Sequence, residues 1–134
     1  MTISDAELLD NAREVRKRAH APYSRFKVGA AIVDESGRVH VGCNVENAAY
    51  PLGACAEASA IGAMVSQGGK RIVRIAVLGG RTEIEPCTPC GGCRQAISEF
   101  ADDQTRILLL KENAEIASLT VAEILPLPFR LTLR

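Results

Sequence analysis

The chain carries thiols in a spacing that is typical of metal ligands. Cys87, Cys90 and Cys93 form two overlapping C-x-x-C pairs, and Cys55 lies upstream, two residues before Glu57. Soft thiolate ligands at such spacing suit zinc. Three protein ligands would leave one coordination position open, which is the arrangement of a catalytic zinc site that activates water.

The backbone around the C-x-x-C pairs indicates which thiols bind. A metal-bound cysteine sulfur is commonly supported by the N–H two residues on, and for Cys87 that residue is Pro89, which has no N–H. For Cys90 it is Gly92, which has one. The sequence therefore predicts one zinc ion with three ligands, Cys55, Cys90 and Cys93.

The charge of this site needs a source of positive potential, since zinc with three thiolates is net negative. We expect Cys55 to begin one helix and Cys90 with Cys93 to begin another, so that two helix N-termini point at the sulfurs. Glu57 is too close in sequence to Cys55 to be an easy fourth ligand. Its carboxylate can reach a water molecule at the metal, which makes it the candidate proton shuttle.

Two other uses of the cysteines remain open from the residues alone. Cys43 or Cys87 could complete a closed structural zinc site with four thiolates. An iron–sulfur cluster is the other, although the fourth Cys and following Pro of the ferredoxin pattern are missing. Otherwise we interpret Cys43 and Cys87 as ordinary buried or half-buried thiols, and the two histidines, His20 and His40, as structural.

Hydrophobic periodicity predicts alternating helices and strands. Ser4, as an N-cap with Glu7 three residues on, begins a helix over 4–20, and residues 26–42 predict a β-hairpin that turns at 34–37. The further predicted elements are a helix over 55–67, a strand over 71–78, a short helix over 93–100, a strand over 106–111 and a helical turn over 121–125. The pattern predicts a layered α/β fold whose sheet is partly antiparallel.

Length and composition exclude several classes. The 134 residues, 47% of them hydrophobic, predict a single domain over 1–134. Sixteen basic and sixteen acidic residues give zero net charge, which argues against nucleic-acid or membrane partners. The N-terminus resembles no signal peptide, and no apolar run approaches the roughly 20 residues that span a bilayer, so we expect a cytoplasmic protein.

The motifs resemble a known family. Cys55-Ala56-Glu57 together with the segment 89–95 is similar to zinc-dependent nucleoside deaminases in their three-cysteine variant. Segments 21–30, 44–51 and 125–129 resemble the small homotetrameric cytidine deaminases. The resemblance implies a three-layer α/β/α fold with a mixed sheet, one zinc ion per chain, a homotetramer, and hydrolysis of cytidine and deoxycytidine to uridine and deoxyuridine plus ammonia in pyrimidine salvage.

The resemblance also implies site roles. Asn44 and Glu46 would bind the ribose hydroxyls, Phe26 would pack on the substrate, and the N–H of Ala56 would contact the pyrimidine carbonyl. Neighbouring subunits would complete the pocket with Ala48, Tyr50 and Phe129. Glu57 would take a proton from the zinc-activated water and deliver it to N3 and then to the departing amine.

One position departs from the family pattern. Many members carry Arg directly after the catalytic Glu, whereas this chain has Ala58. We expect helix dipoles or another basic side chain to supply the missing positive potential. A deaminase of a modified cytosine nucleoside such as blasticidin S is the alternative enzyme, but the 44–47 segment and Phe129 favour the ordinary nucleoside.

Overall fold

A computed structural model describes residues 2–131 of the chain. The elements are α1 (Asp5–Arg16), β1 (Lys27–Asp34), β2 (Val39–Cys43), a 3₁₀ turn (Tyr50–Leu52), α2 (Ala56–Ser66), β3 (Ile72–Gly80), α3 (Gly91–Glu99), β4 (Arg106–Leu110), β5 (Ile116–Leu119) and α4 (Val121–Ile124). Among these residues, no helix has the length and apolarity needed to cross a bilayer.

The five strands form one mixed sheet in the order β2-β1-β3-β4-β5. β1 pairs antiparallel with both β2 and β3, β3 pairs parallel with β4, and β4 pairs antiparallel with β5. The predicted antiparallel hairpin at the start of the sheet is therefore confirmed.

Alternation along the central strands gives the sheet two apolar faces. In β1, Ala30 and Ile32 pack on the side of α2, α3 and α4, and Ala31 and Val33 pack on the side of α1. All four side chains are fully buried. Helices cover both faces, as the three-layer α/β/α expectation requires.

The first helix is shorter than the sequence predicts. Ser4 caps it as expected, since its hydroxyl accepts the Glu7 N–H at 3.2 Å, but the helix ends at Arg16 rather than at residue 20. The His20 N–H donates to the Asn44 carbonyl at 3.0 Å, so the chain leaves the helix to pair with the segment after β2. Tertiary hydrogen bonding outweighs helical periodicity here.

Two further elements, β5 and α3, differ from the predictions. β5 was not predicted, because its four residues are too few to show a clear period of two against a polar background. α3 begins at Gly91 instead of Cys93, since Cys90 is its N-cap. The predicted helix over 55–67 is confirmed as α2, with Cys55 as its N-cap.

Candidate metal centre and substrate cavity

The thiols of Cys55, Cys90 and Cys93 converge in space. Their sulfur atoms all lie within 4.8 Å of one another. A tetrahedral zinc ion with Zn–S bonds of about 2.3 Å holds its sulfurs about 3.8 Å apart. The cluster therefore has the donor atoms and the spacing that fit zinc, with the three residues that the sequence predicts.

Two helix N-termini meet at this cluster. Cys55 caps α2, Cys90 caps α3, and Cys93 lies in the first turn of α3. The Cys90 sulfur accepts the N–H of Cys93 at 3.4 Å. The sequence predicted that the N–H of Gly92 supports this sulfur, but the N–H of Cys93 does so. The reason is that an N-cap side chain faces the N–H three residues on.

The electrostatics of the three thiols differ. Burial raises the pKa of the Cys55 thiol, and burial with the nearby Glu57 carboxylate raises that of Cys93. The N–H of Cys93 lowers the pKa of the Cys90 thiol. Burial and mutual repulsion oppose the charged forms of two of these groups, so a cation at the centre of the cluster would stabilise all three as thiolates.

Glu57 lies beside the cluster in the first turn of α2. Its side chain is buried, with the residue only 4% exposed. Burial raises the pKa of the carboxyl, while its own backbone N–H and, to a smaller extent, the Cys93 thiol act in the opposite direction. A buried carboxyl next to a metal-binding cluster is positioned to accept and return a proton.

A cavity of about 270 Å³ opens onto these groups. It contains the cluster, Glu57 and three further residues that the resemblance assigns to the substrate. Its lining consists of Ser24, Phe26, Val28, Asn44, Cys55, Ala56, Glu57, Cys87, Thr88, Cys90 and Cys93. An adjoining hollow of about 440 Å³ is lined by Tyr23, Ser24, Glu46, Asn47, Tyr50 and Gly53.

Asn44 both lines the cavity and braces its wall. Its Oδ1 accepts the Val28 N–H at 2.8 Å, and its Nδ2 donates to the Phe26 carbonyl at 2.8 Å. An amide has two donors and two lone pairs. One N–H and one lone pair of Asn44 remain for a ligand.

Glu46 lies in the adjoining hollow and holds the segment before Phe26. Its Oε1 accepts the N–H groups of Tyr23 and Ser24, at 3.0 and 3.2 Å, and its Oε2 accepts the Ser24 hydroxyl. The Ser24 hydroxyl bond is the largest of the effects that lower the pKa of Glu46. Sequence reasoning missed Ser24, whose only local signal is its place in the segment 21–30.

The three residues expected to act across subunits lie at the surface of the chain. Tyr50 is 79% exposed and Phe129 is 67% exposed, and Ala48 is exposed as well. Tyr50 packs edge-on against Tyr23 with ring centroids 6.3 Å apart. The structure brings Tyr50 to the adjoining hollow, and it does not bring Ala48 or Phe129 to the lining of either space.

The remaining two cysteines stay outside the cluster. Cys87 lines the cavity, and burial raises the pKa of its thiol to about 11. Among residues 2–131, the metal-binding cluster comprises three residues, and neither Cys43 nor Cys87 belongs to it. A four-cysteine site therefore finds no support in the geometry. His40 is buried with its Nε2 atom 2.8 Å from Asp34, in agreement with a structural role.

The position that lacks the family Arg is open to solvent. Ala58 is exposed on α2. Arg94, next to the ligand Cys93, instead donates to the carbonyls of Pro89 and Ile124 at 2.8 and 3.0 Å. No basic side chain of the described residues lines the cavity. Of the two expected sources of positive potential, this chain provides the helix N-termini.

Comparison with known proteins decides the family. A family model described as the cytidine and deoxycytidylate deaminase zinc-binding region matches residues 2–109. The chain belongs to this family. The family and the cysteine cluster agree on the metal, and the cofactor of the deaminase is zinc.

Individual relatives support the same assignment. The deaminase is 40% identical over 120 residues to a cytidine deaminase of Sporosarcina psychrophila, covering 90% of this chain and 87% of that protein. It is 30% identical over 131 residues to a blasticidin-S deaminase of Bacillus cereus, covering 93% and 91% of the two proteins.

Solved structures show the same fold. A crystal structure of cytidine deaminase from Burkholderia pseudomallei superposes with a TM-score of 0.85 at 36% identity, covering 95% of this chain and 100% of the other. The enzyme of Mycobacterium tuberculosis superposes with a TM-score of 0.83 at 36% identity, covering 96% and 99%. The deaminase therefore has the predicted α/β/α architecture.

Proposed function

We propose that this deaminase hydrolyses cytidine and deoxycytidine to uridine and deoxyuridine, with release of ammonia. Three thiols able to bind one metal ion share a cavity with the buried Glu57 carboxyl, and this arrangement supports the proposal most directly. Relatives of about the same length that are named cytidine deaminases support the choice of substrate.

The zinc ligands in this proposal are Cys55, Cys90 and Cys93. These residues would hold a zinc ion, which would supply the Lewis acidity that lowers the pKa of a water molecule from 15.7 to about 7. Glu57 would accept one proton of that water and deliver it to N3 of the cytosine ring as the water oxygen bonds to C4. Glu57 would then take the remaining proton from that oxygen and pass it to the amine as the bond between C4 and the amine nitrogen breaks. The burial of Glu57 supports this role, because a carboxyl shielded from bulk water can return a proton to the substrate.

Substrate binding rests on groups that keep unused hydrogen-bonding capacity. Ala56 is the first residue of α2 and lines the cavity, and the first N–H groups of a helix have no intrahelical acceptor. Its N–H binds the pyrimidine carbonyl. Asn44 and the free lone pair on Oε2 of Glu46 bind the ribose hydroxyls, and the Phe26 ring packs on the base.

The assembly in this proposal is a homotetramer. The exposed aromatic and aliphatic side chains of Tyr50, Leu127 and Phe129 support it, at 79%, 94% and 67% exposure, because contact with other copies of the chain would remove them from water. Ala48, Tyr50 and Phe129 complete the pocket of a neighbouring subunit. The chain acts as a single domain over 1–134, in the cytoplasm, in pyrimidine salvage.

The decisive experiment measures metal content and turnover together. Purified protein should contain one zinc ion per chain and convert cytidine and deoxycytidine to products that lack the cytosine absorbance, with ammonia released in equal amount. Blasticidin S, assayed in parallel, tests the alternative suggested by the Bacillus cereus relative. Turnover of blasticidin S without turnover of cytidine would overturn the proposal, and size-exclusion chromatography with light scattering tests the tetramer.

A further inference from the structure

The ring of Phe26 has a cation beside it. The Arg81 guanidinium carbon lies 5.8 Å from the centroid of the Phe26 ring, within the range of a cation–π contact. Phe26 lines the cavity and Arg81 does not. The guanidinium thus contacts the ring without being part of the cavity lining.

The register of the sheet creates this contact. β1 and β3 pair antiparallel, with Lys27 opposite Gly80 and Val28 opposite Gly79. Phe26 directly precedes Lys27, and Arg81 directly follows Gly80, so the two side chains leave the sheet at the same end. A shift of one residue in this pairing would separate them.

Gly79 leaves room for the edge of the same ring. A Cβ atom at Gly79 would lie 2.8 Å from Cε1 of Phe26, 3.1 Å from Sγ of Cys87 and 3.2 Å from Cγ2 of Val28. All three of these side chains line the cavity. A methyl group at this position would push the wall into the space that the substrate needs.

The loop that presents Arg81 is held at several points. The Arg81 N–H donates to Oε2 of Glu85 at 2.7 Å, and the Glu85 N–H donates to the Gly79 carbonyl at 2.8 Å. The buried Arg16 donates to the carbonyls of Gly80 and Lys27, at 2.6 and 3.1 Å. Arg16 thus ties the loop that carries Arg81 to the strand that follows Phe26.

We propose that Gly79 and Arg81 are positioning residues that hold the Phe26 ring in place for the base of the nucleoside. The proposal rests on the proposed function, in which Phe26 packs on the cytosine ring. The packing of the Phe26 ring on the uncharged face of the base contributes about equally to binding of the substrate and of the transition state. A displaced Phe26 ring should therefore raise KM and leave kcat nearly unchanged.

The first test removes the charge of Arg81. Arg81→Gln should raise KM for cytidine by about two- to fivefold and change kcat by less than about twofold. Arg81→Lys should raise KM less than Arg81→Gln does, because the ammonium keeps the positive charge although it lacks the planar guanidinium face. Arg13→Gln, on the exposed surface of α1, is the matched control and should leave both constants unchanged.

A double-mutant cycle shows whether Arg81 acts through the ring. In a Phe26→Leu background, Arg81→Gln should no longer change KM, because the ring that it positions is gone. The same fold-change in both backgrounds, or no change in the wild-type background, would overturn the role of Arg81.

The second test fills the space at Gly79. Gly79→Ala should raise KM by about fivefold or more, since insertion into a filled space displaces the wall. Gly62→Ala is the matched control, because a Cβ at Gly62 meets no atom within 4 Å. Equal KM values for Gly79→Ala and the wild type would overturn the role of Gly79.

A readout independent of activity separates this proposal from the proposed function. The δ-methylene protons of Arg81 should show a ring-current shift in the NMR spectrum, and Phe26→Leu should abolish it. If the wild type fails to deaminate cytidine, the proposed function fails while this shift still tests the contact. Identical Arg81 shifts in the wild type and in Phe26→Leu would refute the contact.

Discussion

The hydroxyl of Ser24 donates a hydrogen bond to Oε2 of Glu46 and accepts the N–H of Phe26 at 3.0 Å. One hydroxyl thus joins the carboxylate proposed for the ribose to the residue proposed for the base. Ser24 also lines both the cavity and the adjoining hollow. The two halves of the proposed substrate site are therefore coupled through a residue outside the cysteine cluster.

Ser24→Ala should raise KM for cytidine by about tenfold, because a hydrogen bond to a charged group stabilises by about 1.5–3 kcal/mol and two N–H bonds to Glu46 remain. Steady-state kinetics measures the effect. Ser66→Ala, whose hydroxyl bonds the Gly62 carbonyl within α2, is the control. An unchanged KM in Ser24→Ala would show that the coupling has no part in binding.

Glu57→Gln should reduce kcat by about 10²–10⁴-fold, the usual contribution of a general acid–base, while zinc stays bound. The amide cannot accept the proton, but it leaves Cys55, Cys90 and Cys93 in place. Stopped assays with metal analysis of the same sample measure both quantities, and Glu14→Gln on the exposed face of α1 is the control. Near-normal turnover in a zinc-loaded Glu57→Gln protein would rule out the shuttle.

Ala58→Arg should change kcat by less than about threefold, because the N-termini of α2 and α3, each equivalent to about half a positive charge, already face the sulfurs. Ala58→Met adds length without charge and serves as the control. A rise of tenfold or more in Ala58→Arg, absent from Ala58→Met, would mean that the helix N-termini compensate incompletely for the missing Arg.

Removal of zinc should lower the melting temperature and expose thiols. Metal binding to the folded state adds to its stability, so chelation removes that contribution. The exposed Cys90 thiol, whose pKa is lowered, should then react with a disulfide reagent faster than the Cys55 thiol, whose pKa is raised. Cys43→Ser controls for thiols outside the cluster, and equal reactivity with and without zinc would contradict ligation by these residues.

Stability should fall at acid pH through Asp34. Burial alone would raise the pKa of this carboxyl, but hydrogen bonds from His40, Arg38 and Ser36 outweigh it and lower the pKa. A carboxyl with a lowered folded-state pKa stabilises the fold above its unfolded value, about 3.9, and loses that contribution as pH falls through the folded value.

The free energy of unfolding of Asp34→Asn should therefore be about 1–3 kcal/mol lower than that of the wild type at pH 7. The difference between the two proteins should shrink below about pH 4. Urea denaturation from pH 7 to pH 3 measures it. Asp103→Asn, at an exposed loop position, is the control. A difference that stays constant over the whole range would exclude Asp34 as the source.

Local chemistry made part of this protein predictable. The Ser4 cap, the hairpin around the turn at 34–37 and the helix that begins after Cys55 each depend on residues close in sequence, so their patterns survive in the fold. The end of α1 was predicted wrongly, because hydrogen bonds to the distant segment after β2 decide it. The strand β5 was missed, because its four residues show no clear period of two.

The sequence by itself determined the donor set, since the types and spacing of Cys55, Cys90 and Cys93 already indicated a three-thiolate zinc site with Glu57 beside it. Only the tertiary structure decided how Ser24 links Glu46 to Phe26 and that Arg81 lies against the ring of Phe26. For the contact of Arg81 with Phe26 the physical reason is strand register. The pairing of β1 with β3 sets which distant side chains meet, and no local pattern encodes it.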